Sequence, residues 1–201
     1  MARGEWIDPD AAKITVKEWG ERWLTSASPS LKAKTCASYG SLLRTLIVPR
    51  FGKVEVGQVR PIMISEWVAS LLRRGLSASR VRQAYRLMSQ IMTAAVNNDM
   101  IKFSPCRGVR LPRMPETEPH ILTGEEVERL IAAMRVPHDL LVQLLAYGGL
   151  RIGEAFALRR RHVEIQEGVL IVAESLAEIG GGMSSTPPSR ISVGRSRFRG
   201  S

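Results

Sequence analysis

Apolar residues recur through the first hundred positions at helical spacing, in four runs separated by polar or Gly/Pro breaks. Val16, Trp19 and Trp23 lie at i, i+3 and i+7, one face of a helix, and Thr15 and Glu18 have the spacing of a capping box at its start. Ser26–Ser30 interrupts the pattern. In a second helix Cys36, Tyr39, Leu43 and Leu46 form the apolar stripe, and Lys34, Ser38, Ser41 and Thr45 form a polar stripe beside it. Pro49, Gly52 and Gly57 predict the next break. Pro61 suits a first helical position; Ile64, Trp67, Val68 and Leu71 supply the buried face of a third helix that stops at Gly75. Ser77 predicts the cap of a longer fourth helix, whose seam is Val81, Tyr85, Met88, Met92 and Ala95 and whose end falls near Asn97-Asn98.

The pattern changes at residue 102. KFSPCRGVRLPRMPETEP carries four prolines and no apolar periodicity, which reads as a linker over 102–119. Thr123 and Glu126 form a second capping box before Val127, Leu130, Ile131 and Met134. A Leu-rich helix follows from Asp139 to Tyr147, closed by Gly148-Gly149, and another spans Arg151 to Arg159, with Ile152, Ala155, Phe156 and Leu158 on its core side. Arg159-Arg160-Arg161 reads as charge that complements its C-terminal dipole. Val163–Ile165 and Val169–Val172 flank Glu167-Gly168 as a β-hairpin. The last 18 residues hold six Ser, four Arg and no acid, and read as disordered. The expected organisation is an arm over 1–13, a helical domain over 14–101, the linker over 102–119, an α+β segment over 120–183 and a tail over 184–201.

Composition sharpens this picture through the distribution of charge. The net charge of +10 over 201 residues divides into +10 for residues 1–110, −4 for 111–183 and +4 for the tail. The helical half is therefore the candidate for a polyanion such as nucleic acid. Cys36 and Cys106 are isolated, without metal-ligand spacing, so no metal site is expected. No apolar run is long enough to cross a bilayer, and the start lacks a signal-peptide apolar region; both set the expectation of a cytoplasmic protein with no membrane partner.

HILTGEEVERLIAAM followed by LLVQLLAYGGLRIGEAFALRRRHVEI resembles the opening of the catalytic domain of tyrosine recombinases, the phage-integrase family, and GGLRIGEAFAL is its most specific part. The basic helical domain is similar to that family's SAM-like core-binding domain, and GEWIDPDAAKITVKEWGERWL is similar to actinobacterial prophage integrases. The implied fold is mainly α: a four-helix core-binding domain followed by an incomplete α+β catalytic domain with a short β-hairpin. The implied chemistry is site-specific strand exchange. A tyrosine attacks the scissile phosphodiester, and two arginines, a lysine and histidine-class residues stabilise charge and move protons, with no metal or small-molecule cofactor.

In that resemblance Arg151 is the first catalytic arginine, a guanidinium suited to paired phosphate oxygens and expected to gain from amides at its helix start. Glu154, three residues on, is its orienting partner. Phosphate contacts are expected from Lys32, Lys34, Ser38, Arg44, Thr45, Arg80, Arg82 and Arg86. No lysine follows Lys102, no tyrosine follows Tyr147 and no histidine follows His162, so the family's lysine, nucleophile and His-x-x-Arg have no counterpart. Tyr39, Tyr85 and Tyr147 read as packing residues. The expectation is a chain with a frameshift or a truncation near residue 183 that binds attachment-site-like double-stranded DNA without cleaving it, as a homo-oligomer or beside a full-length recombinase. The alternatives are a competitor or regulator at attachment sites and an active integrase completed by another chain.

Overall fold

The computed structural model describes residues 10–115, 118–164, 169–179, 182–186 and 193–195. Its contacts divide the chain into two compact units, Met1–Thr117 and Glu118–Ser201.

The first unit is helical. α1 (Val16–Ala27) opens on the expected capping box: the Glu18 amide donates to Thr15 Oγ1 at 3.2 Å, and the Thr15 amide donates to Glu18 Oε2 at 3.2 Å. α2 (Ala33–Leu42) runs without a break through a π turn (Leu43–Ile47) into α3 (Val48–Phe51). The break expected at Pro49 is therefore absent. Pro49 falls in the first turn of α3, directly after a π turn whose wider hydrogen-bond spacing tolerates its missing amide. α4 (Pro61–Arg73) starts on Pro61, and α5 (Ala78–Asn97) starts on Ser77, whose hydroxyl accepts from the Arg80 amide. Four helical rods result, as the periodicity implied.

Trp67 sits at the centre. It is 2% exposed, its indole Nε1 donates to the Leu46 carbonyl at 3.0 Å, and its ring meets Phe51 edge-on at 5.6 Å. Leu42, Ile47, Ile64, Leu71, Met88 and Ile91 close around it. Trp19 is tied in the same way, by Nε1 to the Ile91 carbonyl at 3.0 Å.

α4 and α5 end alike. After α4 the amides of Gly75 and Leu76 bond back to Leu72 and Leu71, with Gly75 at φ 80°. After α5 the amides of Asp99 and Met100 bond back to Val96 and Ala95, with Asp99 at φ 54°. This is the Schellman arrangement, in which the left-handed position favours glycine. The segment that follows is not free chain. Met100 and Cys106 lie in the core, and Ile101, Val109 and Leu111 pack against it. The first part of the expected linker thus belongs to the helical unit. Aperiodic anchors hold it, so no helical or strand pattern announces it.

In the second unit α6 (Gly124–Ala133) carries its capping box, with the Thr123 amide donating to Glu126 Oε2 at 2.8 Å. α7 (His138–Ala146) and α8 (Ile152–Ala157) follow. β1 (Val163–Glu164) pairs antiparallel with β2 (Val169–Ile171), Val163 opposite Leu170, which is the expected hairpin; its turn, including Glu167-Gly168, lies outside the described residues. β3 (Ser175–Ile179) pairs antiparallel with β4 (Gly182–Thr186), and β5 (Val193–Arg195) adds to β2. Residues 184–186 and 193–195 of the tail expected to be disordered are therefore strands, because backbone pairing does not require an apolar pattern; the rest of the tail lies outside the described residues. The unit's core is small: Leu150, Leu170 and Val172, with Leu144, Ala155, Leu158 and Val163 against them. Tyr147 is 49% exposed and its hydroxyl donates to Glu128 Oε1 at 2.5 Å, so it is not the packing residue expected. No described helix is long and apolar enough to cross a membrane.

The Asp99 cap yields a stability prediction. Asp99→Gly relieves a left-handed side chain without touching a contact and should raise the stability of the first unit by about 0.5–1 kcal/mol. All four tryptophans lie at or before residue 67, so urea unfolding followed by tryptophan fluorescence reads this unit alone.

Candidate functional site

Arg151 caps the start of α8, and Glu154 on the first turn reaches back to it. One carboxylate oxygen, Oε2, accepts the Arg151 amide at 3.0 Å; the other, Oε1, accepts from Nη1 of the Arg151 guanidinium at 3.0 Å. Exposure separates the two partners sharply: the Arg151 side chain is 72% exposed and that of Glu154 is 6%. A buried carboxylate persists only when paired and hydrogen-bonded. The Arg151 amide and then the guanidinium hold Glu154 below the usual carboxylate range, against the upward pull of burial. A guanidinium has five N–H donors. Glu154 takes one and leaves the rest of the fork facing solvent. α8 has six residues and its Arg151 amide is already bonded, so anion binding here rests on the guanidinium and not on the helix terminus.

Gly153 explains how α8 is seated. A β-carbon at this position would lie 2.5 Å from the Leu176 carbonyl oxygen and 2.7 Å from Ser175 Oγ, both of β3. The helix bearing Arg151 and Glu154 therefore rests directly on a strand backbone. Behind it, Glu174 joins three segments: Arg159 Nη2 reaches its oxygens at 3.0 and 3.3 Å, and Ser185 Oγ donates to Oε2 at 2.9 Å. The Ser185 hydroxyl and then Arg159 hold Glu174 below its ordinary range. This corrects the reading of the arginine run. α8 ends at Ala157, Arg159 serves this bridge, and Arg160 begins a 3-10 turn with Arg161 and His162. Sequence reasoning missed both Gly153 and Glu174. Gly153 lies inside GGLRIGEAFAL, where a glycine on a helix face signals close backbone approach; Glu174 carried no such signal.

In the first unit Lys32, Lys34 and Ser38 are exposed at the start of α2, and Arg44 and Thr45 are exposed on the π turn. Thr45 is less suited to phosphate than expected, since its hydroxyl donates to the Ser41 carbonyl at 2.8 Å and so has no proton for an anion. Of the α5 candidates, Arg86 is exposed and Arg80 and Arg82 are half-buried. Arg80 Nη1 reaches Gln83 Oε1 at 3.4 Å, and Arg82 Nε donates to the Pro112 carbonyl at 2.8 Å. α2 packs on α5, which makes the two basic sets part of one helical body.

The architecture is two-part, a basic helical unit before an α+β unit that carries an arginine at the start of a short helix. Residues 15–72 match the family model "Phage integrase, N-terminal SAM-like domain". The putative prophage phiRv2 integrase of Mycobacterium tuberculosis is 28% identical over 174 residues, 85% of this chain and 45% of that protein. The tyrosine recombinase XerC of Xanthomonas axonopodis is 27% identical over 123 residues, 59% of this chain and 40% of that protein. The Tn1549 transposon integrase, in a structure with a circular intermediate DNA, superposes with a TM-score of 0.75 at 22% identity, covering 88% of this chain and 58% of that one; this likeness is one of fold. Residues 15–72 form a phage-integrase SAM-like domain, and the chain is homologous to phage integrases and to the tyrosine recombinase XerC. It spans about half the length of the curated relatives it matches.

Two predictions follow from the geometry of α8. Gly153→Ala should push the helix off β3 at a cost of about 1–3 kcal/mol. Hydrogen exchange in α8 and β3 should speed up while tryptophan-monitored unfolding of the first unit is unchanged. The second concerns pH. Glu154 is held below its unfolded range, so its contribution to stability is present above about pH 4.5 and is lost as pH falls through the folded value. The exchange protection factor of α8 should therefore drop on acidification in the parent chain, and this step should be missing in Glu154→Gln, which starts less protected.

Proposed function

We propose that this chain is the DNA-holding part of a site-specific recombination system. The first unit grips attachment-site-like double-stranded DNA, and the second presents Arg151 to a backbone phosphate. The observation that carries the reading is the pairing at α8: a guanidinium fixed at one corner by a buried carboxylate, with its remaining donors exposed. This is a preorganised clamp for phosphate oxygens, useful where charge develops on phosphorus in the transition state. The exposed Lys32, Lys34, Arg44 and Arg86 supply the sequence-independent attraction. The fold likeness to a recombinase studied on DNA supports the same conclusion. The reading uses no cofactor and places the chain in the cytoplasm, beside the genome it would act on. In these 201 residues no tyrosine or lysine follows Arg151, and the role proposed for this stretch by itself is occupancy without cleavage. It is exercised alone as a competitor at attachment sites, with a second copy, or beside a complete recombinase that supplies the nucleophile.

The test is a salt titration of binding to duplex attachment-site DNA by fluorescence anisotropy. Log K should fall linearly with log salt, and Lys34→Ala or Arg44→Ala should each reduce the slope by about one ion. A suicide substrate should give no covalent adduct. Absence of duplex binding at low salt, or unchanged slopes in both variants, would overturn the DNA reading; an adduct would overturn occupancy without cleavage.

A further inference from the structure

Residues 100–112 follow α5 back along its own surface, and two α5 side chains hold them there. The Tyr85 hydroxyl donates to the Cys106 carbonyl. Arg82, one turn earlier on the same helix face, donates from Nε to the Pro112 carbonyl at 2.8 Å. Between and before these points Met100 and Cys106 enter the core, and Cys106 is buried well enough that desolvation pushes its thiol up to about 11. Pro105 is buried as well.

We propose that Arg82 and Tyr85 clasp residues 100–112 onto α5 as a strap that sets the length of the tether to the second unit, with Arg82 as a positioning residue. Arg82 is drawn into the fold by Pro112, and its guanidinium is placed by the strap. With the clasp closed, residues 113–119 are the covalent connection, a reach of at most about 25 Å; with the strap released the connection is 100–119 and the reach rises to about 70 Å. For two units that bind one DNA site, tether length sets the effective concentration of the second once the first has bound. Lengthening a flexible tether from about 7 to about 20 residues lowers it roughly fivefold by the −3/2 power rule. The strap therefore keeps the Arg151 unit close to a site that the basic unit already holds. This consequence rests on the proposed DNA role; the clasp itself does not.

The strap carries its own reporters. Lys102, Arg107 and Arg110 lie within it and Arg113 lies just beyond the Pro112 clasp, so trypsin reads its opening. In the parent chain cleavage at Arg113 should precede cleavage at Arg107 and Arg110. Arg82→Lys, which keeps the charge but loses the planar Nε donor, and Tyr85→Phe should each speed cleavage at Arg107 and Arg110 about five- to tenfold, the loss expected when one net hydrogen bond is removed from a local opening. The tryptophan-monitored unfolding transition should remain cooperative in both. In DNA binding, Tyr85→Phe should weaken affinity by a factor that rises with the fraction of strap released, at most about fivefold, without changing the salt slope, because it removes no charge. Equal cleavage rates at Arg107, Arg110 and Arg113 in the parent chain, or unchanged rates in both variants, would overturn the clasp. A variant whose strap is cleaved as fast at Arg107 and Arg110 as at Arg113, yet binds DNA with unaltered affinity, would overturn the tether consequence. A chain that binds no DNA at all would remove the proposed function and leave the proteolysis result standing.

Discussion

The helical unit depends on a polar atom in a dry place. Trp67 fills the middle of the core, and an indole N–H buried there must find an acceptor. It takes the carbonyl of Leu46, within the π turn between α2 and α3. A π turn widens the helical ladder and turns carbonyls off the axis, so the irregular turn and the buried tryptophan are mutually consistent. The same turn lets the rod continue past Pro49 and lets Phe51 meet the Trp67 ring edge-on. Because α2 is anchored through this junction, Lys34, Ser38 and Arg44 are displayed on a fixed support and not on a loop. A basic face built on a packed rod keeps its charges at constant spacing, as contact with a regular phosphate array requires.

The second unit solves a harder problem with less material. Among the described residues its core cluster is Leu150, Leu170 and Val172, and Ile152 and Phe156 on α8 stay more than half exposed. Hydrophobic burial of that size cannot by itself fix a side chain. Position is set instead by contact and pairing: Gly153 lets α8 touch the β3 backbone, Glu154 binds both the amide and the guanidinium of Arg151, and Glu174 ties Arg159 to Ser185. Each is a short-range interaction that fails steeply with displacement, so the placement of Arg151 is sensitive to how α8 sits.

The helices, their caps and the first hairpin were legible because each has a local signature. Periodicity marks the buried faces of the first unit, though on α8 Ile152 and Phe156, expected inside, are more than half exposed; Thr15–Glu18 and Thr123–Glu126 announce their own geometry. Arg151 and its pairing with Glu154 were legible through the resemblance carried by GGLRIGEAFAL. Other features were not, and three of them show why. Pro49 looked like a stop because its rule assumes α spacing, and the π turn suspends that assumption. Residues 102–112 looked like a linker because prolines and isolated anchors such as Cys106 and Val109 have no period to detect, although they pack on the helical core. Tyr147 looked like packing because it closes a Leu-rich helix, yet its hydroxyl makes a side-chain bond at the surface that depends on where α6 lies. In each case the missing information was a non-local contact.

The charge pattern takes on a different meaning once Glu154 is placed. Residues 111–183 carry a net −4, which suits a DNA-binding partner poorly if net charge is what matters. The Arg151–Glu154 pair is itself neutral overall, so it adds little long-range attraction and little to counterion release. Its asymmetry is what counts: the negative member is buried and its lone pairs are engaged, while the positive member keeps most of its donors in solvent. At contact distance such a pair still offers directed hydrogen bonds to phosphate oxygens, and their strength grows as charge builds on those oxygens. On the proposed reading, long-range attraction belongs to the exposed lysines and arginines of the first unit, and the second adds directed contacts at close range. Those contacts carry little of the salt dependence, because the pair releases few counterions, and their share of the affinity is what the length of the connection to the first unit governs.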